Sequence, residues 1–150
     1  MTVVPSPIQS AADETDPWLA GDPPTGLYFT RSAPNLNSGT IYRAAVVNQT
    51  PTFDLPQQVV SCTTGICGAA VTTSDEHTLL YATWPSAAAF LNGMQVQEVA
   101  LTNGHVTSGQ PIPHPELTSH YPSWISANGC QIVVANGAAA GMLVATRAPQ

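Results

Sequence analysis

An all-β fold of about three like units, each a four-stranded antiparallel sheet, is predicted by three observations. The first is a period. The stretch HYPSWISANGCQIVV from His120 has two altered copies, DPWLAGDPPTGLYFT from Asp16 and AAVTTSDEHTLLYAT from Ala69. Trp18, Val71 and Trp124 recur at spacings of 53 and 53, as do Asp22, Asp75 and Asn128; Leu27, Leu79 and Ile132 recur at 52 and 53. The second is a succession of short apolar runs parted by turn residues every ~8–12 positions, the mark of a sheet protein. The third is the lack of a long amphipathic helix: Ala87–Phe90 is bounded by Pro85 and Gly93, and NGAAAG from Asn136 is too short to propagate one. Four strands in a unit of this length select β-propeller blades.

The units are expected at about residues 16–68, 69–121 and 122–150 of a single domain, after an extended lead-in over 1–15 with an apolar patch at Val3, Val4 and Ile8. In the first unit, Trp18–Leu19 is a short inner strand, GDPPTG a turn, Leu27–Thr30 the second strand, Thr40–Ala44 the third, extended by Val46 and Val47, and Val59–Val60 the edge. RSAPNLNSG and NQTPTFDLPQ are connections by their turn residues. Asn48-Gln49-Thr50 matches a glycosylation acceptor but reads as a chance match. In the second unit, Ala69–Thr72 and Thr78–Thr83 flank the turn SDEH, WPSAAAFLNG is a loop, and Gln95–Leu101 alternates as a strand does. Asn103-Gly104 marks a tight hairpin. Val106 begins the edge strand and PIPHP ends it. In the third, Ser123–Ile125, the turn SANG, Cys130–Ala135 and Met142–Thr146 give three strands and no fourth.

Composition excludes several functions. Charged residues make up 8% and the net charge is −6, with no lysine and only Arg31, Arg43 and Arg147 as arginines. A nucleic-acid or anionic-membrane footprint is therefore not expected, nor is a membrane span, because no run approaches ~18 apolar residues. Without lysine there is no P-loop, Schiff base or Ser-Lys dyad, and no Gly-x-Ser-x-Gly elbow is present. His77, His105, His114 and His120 fall in turns and connections and read as surface residues. Asp13, Glu14 and Asp16 read as a solvated acidic lead-in rather than a calcium site. Cys62 and Cys67 are close enough in sequence to bridge across a loop or to remain as buried thiols, and Cys130 is left over. No catalytic residue, cofactor site or metal site is expected.

In its turn and strand motifs the chain resembles the TolB-type, WD-repeat-like β-propeller family. The motifs are Pro17-Trp18-Leu19 with Asp22 and Leu27-Tyr28-Phe29, then Thr73-Ser74-Asp75 with Leu79-Leu80-Tyr81, then Pro122-Ser123-Trp124-Ile125-Ser126 with Asn128-Gly129 and Ile132. Ile41-Tyr42-Arg43-Ala44 and, loosely, Leu143–Arg147 match a second signature near the end of the unit. The resemblance covers about residues 13–147. Only the third unit keeps glycine after the acid or amide, and the first carries the insertion PPTG, so the turns are expected to differ in shape. The Asp or Asn should accept backbone N–H bonds, and Trp18 and Trp124 should pack between blades near the axis. The resemblance implies a non-catalytic module in the periplasm or outside the cell. It would bind a protein partner, with a glycan- or peptide-binding, enzyme-associated propeller as the alternative. No leader is recognisable at residues 1–16. Two blades and an incomplete third leave apolar end faces. They are expected to be covered in a longer propeller, of which this chain is a fragment, or in a homodimer where Val3 and Val4 complete a partner's third blade, unless the blades spread differently.

Overall fold

In the computed structural model the chain is all-β, and its strands fall into three curled antiparallel sheets, one per predicted unit. The described residues are residue 8 and residues 10–33, 38–47, 52–86, 93–107, 109–136 and 141–148. Val3, Val4, the acceptor sequence Asn48-Gln49-Thr50, the Ala87–Phe90 run and residues 137–140 of NGAAAG lie outside them.

Blade 1 holds β1 (Asp13–Ala20), β2 (Gly26–Ser32) and β3 (Gly39–Val47); β4 (Thr52–Phe53) and β5 (Gln57–Ser61) pair with the two ends of β3. Blade 2 repeats this with β6 (Ile66–Thr72), β7 (Thr78–Trp84) and β8 (Gln95–Thr102); β9 (His105–Val106) and β10 (Ile112–His114) take the two ends of β8. Blade 3 has β11 (His120–Ile125), β12 (Gln131–Asn136) and β13 (Met142–Thr146). Most predicted strands are longer in the structure because ladder bonds continue past the apolar residues. Two predictions need correction: NQTPTFDLPQ is not only a connection, since it contains β4 and the start of β5, and the edge of blade 2 lies elsewhere than expected. The edge of blade 2 is formed by Ile112–His114, inside PIPHP, whereas Val106 belongs to the two-residue ladder of a hairpin. Pro113 is tolerated there because the outermost strand needs no donor on its open side.

The turns between the first two strands show how the repeat is built. Thr73 and Ser126 open equivalent turns. The Asp75 carboxylate accepts from the Thr73 hydroxyl at 2.6 Å and the His77 N–H at 3.0 Å. The Asn128 carbonyl likewise accepts from the Ser126 hydroxyl at 2.8 Å and the Cys130 N–H at 3.1 Å. Bonding by the Thr73 hydroxyl holds the Asp75 carboxyl below its usual range. Gly129 takes φ 70° here, and its counterpart Glu76 takes φ 54°, a left-handed conformation that disfavours residues other than glycine. Blade 1 differs: the Ala20 carbonyl accepts from the Thr25 N–H at 2.8 Å, and Asp22 plays no such part in that turn. At the blade 2 hairpin Asn103 and Gly104 have φ 52° and 75°, the paired positive values of a tight turn.

The inner strands carry bulges at matching places, between Thr15 and Trp18, Gly68 and Val71, and Pro122 and Trp124. Asp16 and Ala69, 53 apart, both sit at positive φ, and the Ala69 N–H donates to Asp16 Oδ2 at 3.2 Å. Side chains from neighbouring blades meet in two apolar clusters. Tyr28, Ile41, Leu79, Tyr81 and Val99 pack between blades 1 and 2; Val71, Leu80, Val96, Ile125, Ile132 and Val134 pack between blades 2 and 3.

Cys62 and Cys67 are joined by a disulfide across the passage from β5 to β6, with Cα atoms 5.8 Å apart, and Cys130 is free. The loop closed is short, so Cys62→Ala should cost about 2 kcal/mol, near the lower end of measured disulfide effects. Urea melts will read this, and mass spectrometry of the unreduced protein will show whether the two thiols are absent.

A candidate protein-interaction face on the third blade

The same three positions form one face of each blade, because cross-strand partners share a side of a sheet. In blade 1 they are Trp18, Tyr28 and Arg43; in blade 2, Val71, Leu80 and Glu98; in blade 3, Trp124, Val133 and Val144. Two of these faces are closed by the next blade, and the way they close defines what the third lacks.

Blade 1 closes on blade 2 through Glu76. Arg43 Nε donates to Glu76 Oε2 at 2.6 Å and Arg43 Nη2 to Oε1 at 2.9 Å. The Tyr28 hydroxyl donates to Oε2 at 2.6 Å and the Thr25 hydroxyl to Oε1 at 2.5 Å. Burial opposes ionisation of Glu76, but the bonds from Arg43, Thr25 and Tyr28 outweigh it and pull its pKa down to about 2. Burial and the neighbouring carboxylate push the Tyr28 phenol well above its ordinary value. These four bonds explain why a glutamate occupies the left-handed position that is glycine in blade 3. The Trp18 indole N–H donates to Thr72 Oγ1 at 3.2 Å, and its ring touches both apolar clusters.

Blade 2 closes on blade 3 in the same place with different chemistry. Glu98, buried, accepts from Arg147 Nη1 at 2.5 Å and lies 3.0 Å from His114 Nε2. His114 Nδ1 is 2.9 Å from Glu116. Arg147 Nε also donates to the Gly129 carbonyl at 2.7 Å. All three arginines pair with a glutamate, since Arg31 meets Glu14 at 3.0 Å.

Blade 3 presents its face to solvent. Trp124 is 41% exposed, Val144 66% and Met142 73%, whereas Ile41 and Val96, which occupy the Met142 position in the other blades, are fully buried. Ile41 pairs with Val60 of β5 and Val96 with His114 of β10. Among the described residues no strand lies beyond β13. Among the described residues that edge has no partner strand and lies beside an apolar face, a template for another chain.

The sequence expectations are placed as follows. Trp18 lies between blades as expected. The expectation for Trp124 is corrected: it takes the equivalent position with no blade over it. His77 and His105 are exposed, but His114 is not a surface turn residue; it ends β10 and is held between Glu98 and Glu116. His120 opens β11, half-buried. Asp13, Glu14 and Asp16 do not converge: Glu14 turns to Arg31 and Ser10, Asp16 to Ala69. Among the described residues no group of His, Cys, Asp and Glu is placed to hold a metal ion. The bulges of all three blades meet at a recess of about 160 Å³ lined by Asp16, Trp18, Ala69, Val71, Tyr121 and Ser123. That is below the ~300–1,000 Å³ of small-molecule sites. Sequence reasoning missed Glu76, Glu98 and Arg147. The scarcity of charged residues, 8% of the chain, was the available signal, because a charge on an otherwise apolar sheet needs a partner.

The fold and this face define an all-β protein of stacked antiparallel blades. Compared with known proteins, the chain matches no family model, no curated protein and no solved structure.

Proposed function

We propose that the chain is a non-catalytic, TolB-like propeller module that binds protein through the open face and edge of blade 3. The observation that carries this is the contrast in burial at one repeat position: Met142 is 73% exposed where Ile41 and Val96 are buried between blades. A sheet edge of this kind takes an extended segment by strand addition, with main-chain bonds giving affinity and alternate side chains giving selectivity. The Cys62–Cys67 disulfide supports a periplasmic or extracellular setting, since such bonds persist in oxidising compartments.

A second reading is favoured by Trp124 alone: an indole 41% exposed on an open sheet face suits stacking against a sugar ring. Peptide and glycan arrays probed with the chain at nanomolar concentration separate the two. The expected result is binding to extended peptides with apolar residues at alternate positions, abolished by Val144→Asp. Glycan binding lost in Trp124→Ala, with no peptide bound, would replace the first reading by the second.

A further inference from the structure

We infer that His114 is a pH-read clasp on the passage from blade 2 to blade 3: with both ring nitrogens protonated it ties β10 to β8 and to the turn that follows, and on losing one proton it releases that turn. The geometry carries this. His114 Nε2 lies 3.0 Å from Glu98 Oε2 of β8, and Nδ1 lies 2.9 Å from Glu116 Oε1 in the short 3-10 turn Pro115–Leu117. Both neighbours are carboxylates, and an ionised carboxylate only accepts. Glu98 Oε2 already takes Arg147 Nη1 at 2.5 Å, which keeps it an acceptor. Glu116 is held below the usual carboxylate range, first by its own backbone N–H and then by the bond from His114. A neutral imidazole has one N–H and one lone pair, so only the imidazolium can donate to both partners. The charges facing the ring are Glu98 from β8, Glu116 from the turn and, across Glu98, Arg147 beyond β13. With His114 protonated these four groups are neutral together; without the proton one negative charge is left over.

What the clasp holds is thin. β10 pairs with β8 over three residues, and the middle one, Pro113, has no N–H to give the ladder. The turn after it has no side-chain cap at its start. Leu117, next to Glu116, is buried between blades 2 and 3 in the cluster of Ile125 and Val134, and the Ser119 N–H donates to the Met94 carbonyl at 2.9 Å. Loss of the proton has one course. Nε2–H stays on the buried Glu98, which has no proton to offer, and Nδ1 becomes a lone pair facing a carboxylate oxygen. Glu116, 63% exposed, then turns to water, and the turn that seats Leu117 keeps only its backbone bonds and apolar contacts. The clasp is therefore complete on the acid side and undone as pH rises. Imidazole is the side chain that ordinarily changes charge between pH 5 and 8, which sets the interval to measure. Among the described residues, His77 meets one carboxylate, Asp75, and His120 meets the Thr118 carbonyl, so neither ring holds the same conflict.

Amide exchange followed by nuclear magnetic resonance at pH 5.5 and pH 8, expressed as protection over the intrinsic rate at each pH, tests this in wild type and in Glu116→Gln. The Thr118 and Ser119 amides, bonded to Pro115 and Met94, report the turn. An exposed ion pair contributes modestly, so their wild-type protection should fall about two- to fivefold across the interval. Glu116→Gln should show no fall. A glutamine offers its carbonyl to the imidazolium at pH 5.5 and its N–H to the neutral ring's Nδ1 at pH 8, so both bonds survive. Nitrogen shifts of the His114 ring should report two N–H groups at pH 5.5 and the Nε2–H tautomer at pH 8. An equal fall in both proteins, no fall in wild type, or a ring that carries its proton on Nδ1 at pH 8 would each overturn the inference.

Discussion

Glu76→Ala should destabilise the protein by about 3 kcal/mol at neutral pH. Removing one partner of a buried ion pair costs ~3–5 kcal/mol because the other charge is left without compensation. Arg43 and Glu76 retain 18% and 10% side-chain exposure, which places the effect at the low end. Tyr28 and Thr25 lose their acceptor as well. Part of the loss is returned by relief of backbone strain only if the new residue is glycine, so Glu76→Gly should be slightly milder than Glu76→Ala. The pH dependence carries a sign. Glu76 titrates at about 2 when folded against a reference value of 4.5, so the folded state favours its ionised form. Its contribution is complete above about pH 4.5 and is lost as pH falls toward 2. Urea melts of wild type between those values should steepen toward acid, and Glu76→Ala should lack this component. Equal acid sensitivity in the two proteins would show that another group governs it.

The architecture was legible because it is written in apolar spacing, and spacing survives divergence. Trp18, Val71 and Trp124 mark one sheet position in three blades, and the Asp75 and Asn128 turns bond as their positions implied. What was not legible depends on partners in other blades. A glutamate after Asp75 gives no local sign that it will reach Arg43 across a blade boundary. His114 looked like a connection residue because the prolines around it argued against a strand, yet an edge strand accepts a proline and the edge is where this strand lies. Trp124 was misplaced for a related reason. Its sequence context equals that of Trp18, and only the presence or absence of the neighbouring blade separates a buried indole from an exposed one.

That pair gives the second large effect. Trp18→Ala should cost about 3 kcal/mol, since truncating a packed aromatic costs ~3–5 kcal/mol and Trp18 is half-buried rather than fully enclosed. It contacts both interblade clusters, so its removal loosens two junctions, and it leaves the Thr72 hydroxyl without its donor in a buried position. Trp124→Ala, at the same repeat position, should fall within about 0.5 kcal/mol, as surface changes do, when melts are run on a monomeric Val144→Asp background. In the wild-type background the difference between the two variants should shrink as protein concentration rises, because any chain that covers blade 3 converts Trp124 into the equivalent of Trp18 and couples its burial to association. Denaturant melts at two concentrations measure both statements. A Trp124→Ala penalty as large as that of Trp18→Ala in the monomeric background would mean that the indole is packed within its own chain, and the open-face account of blade 3 would fail with it.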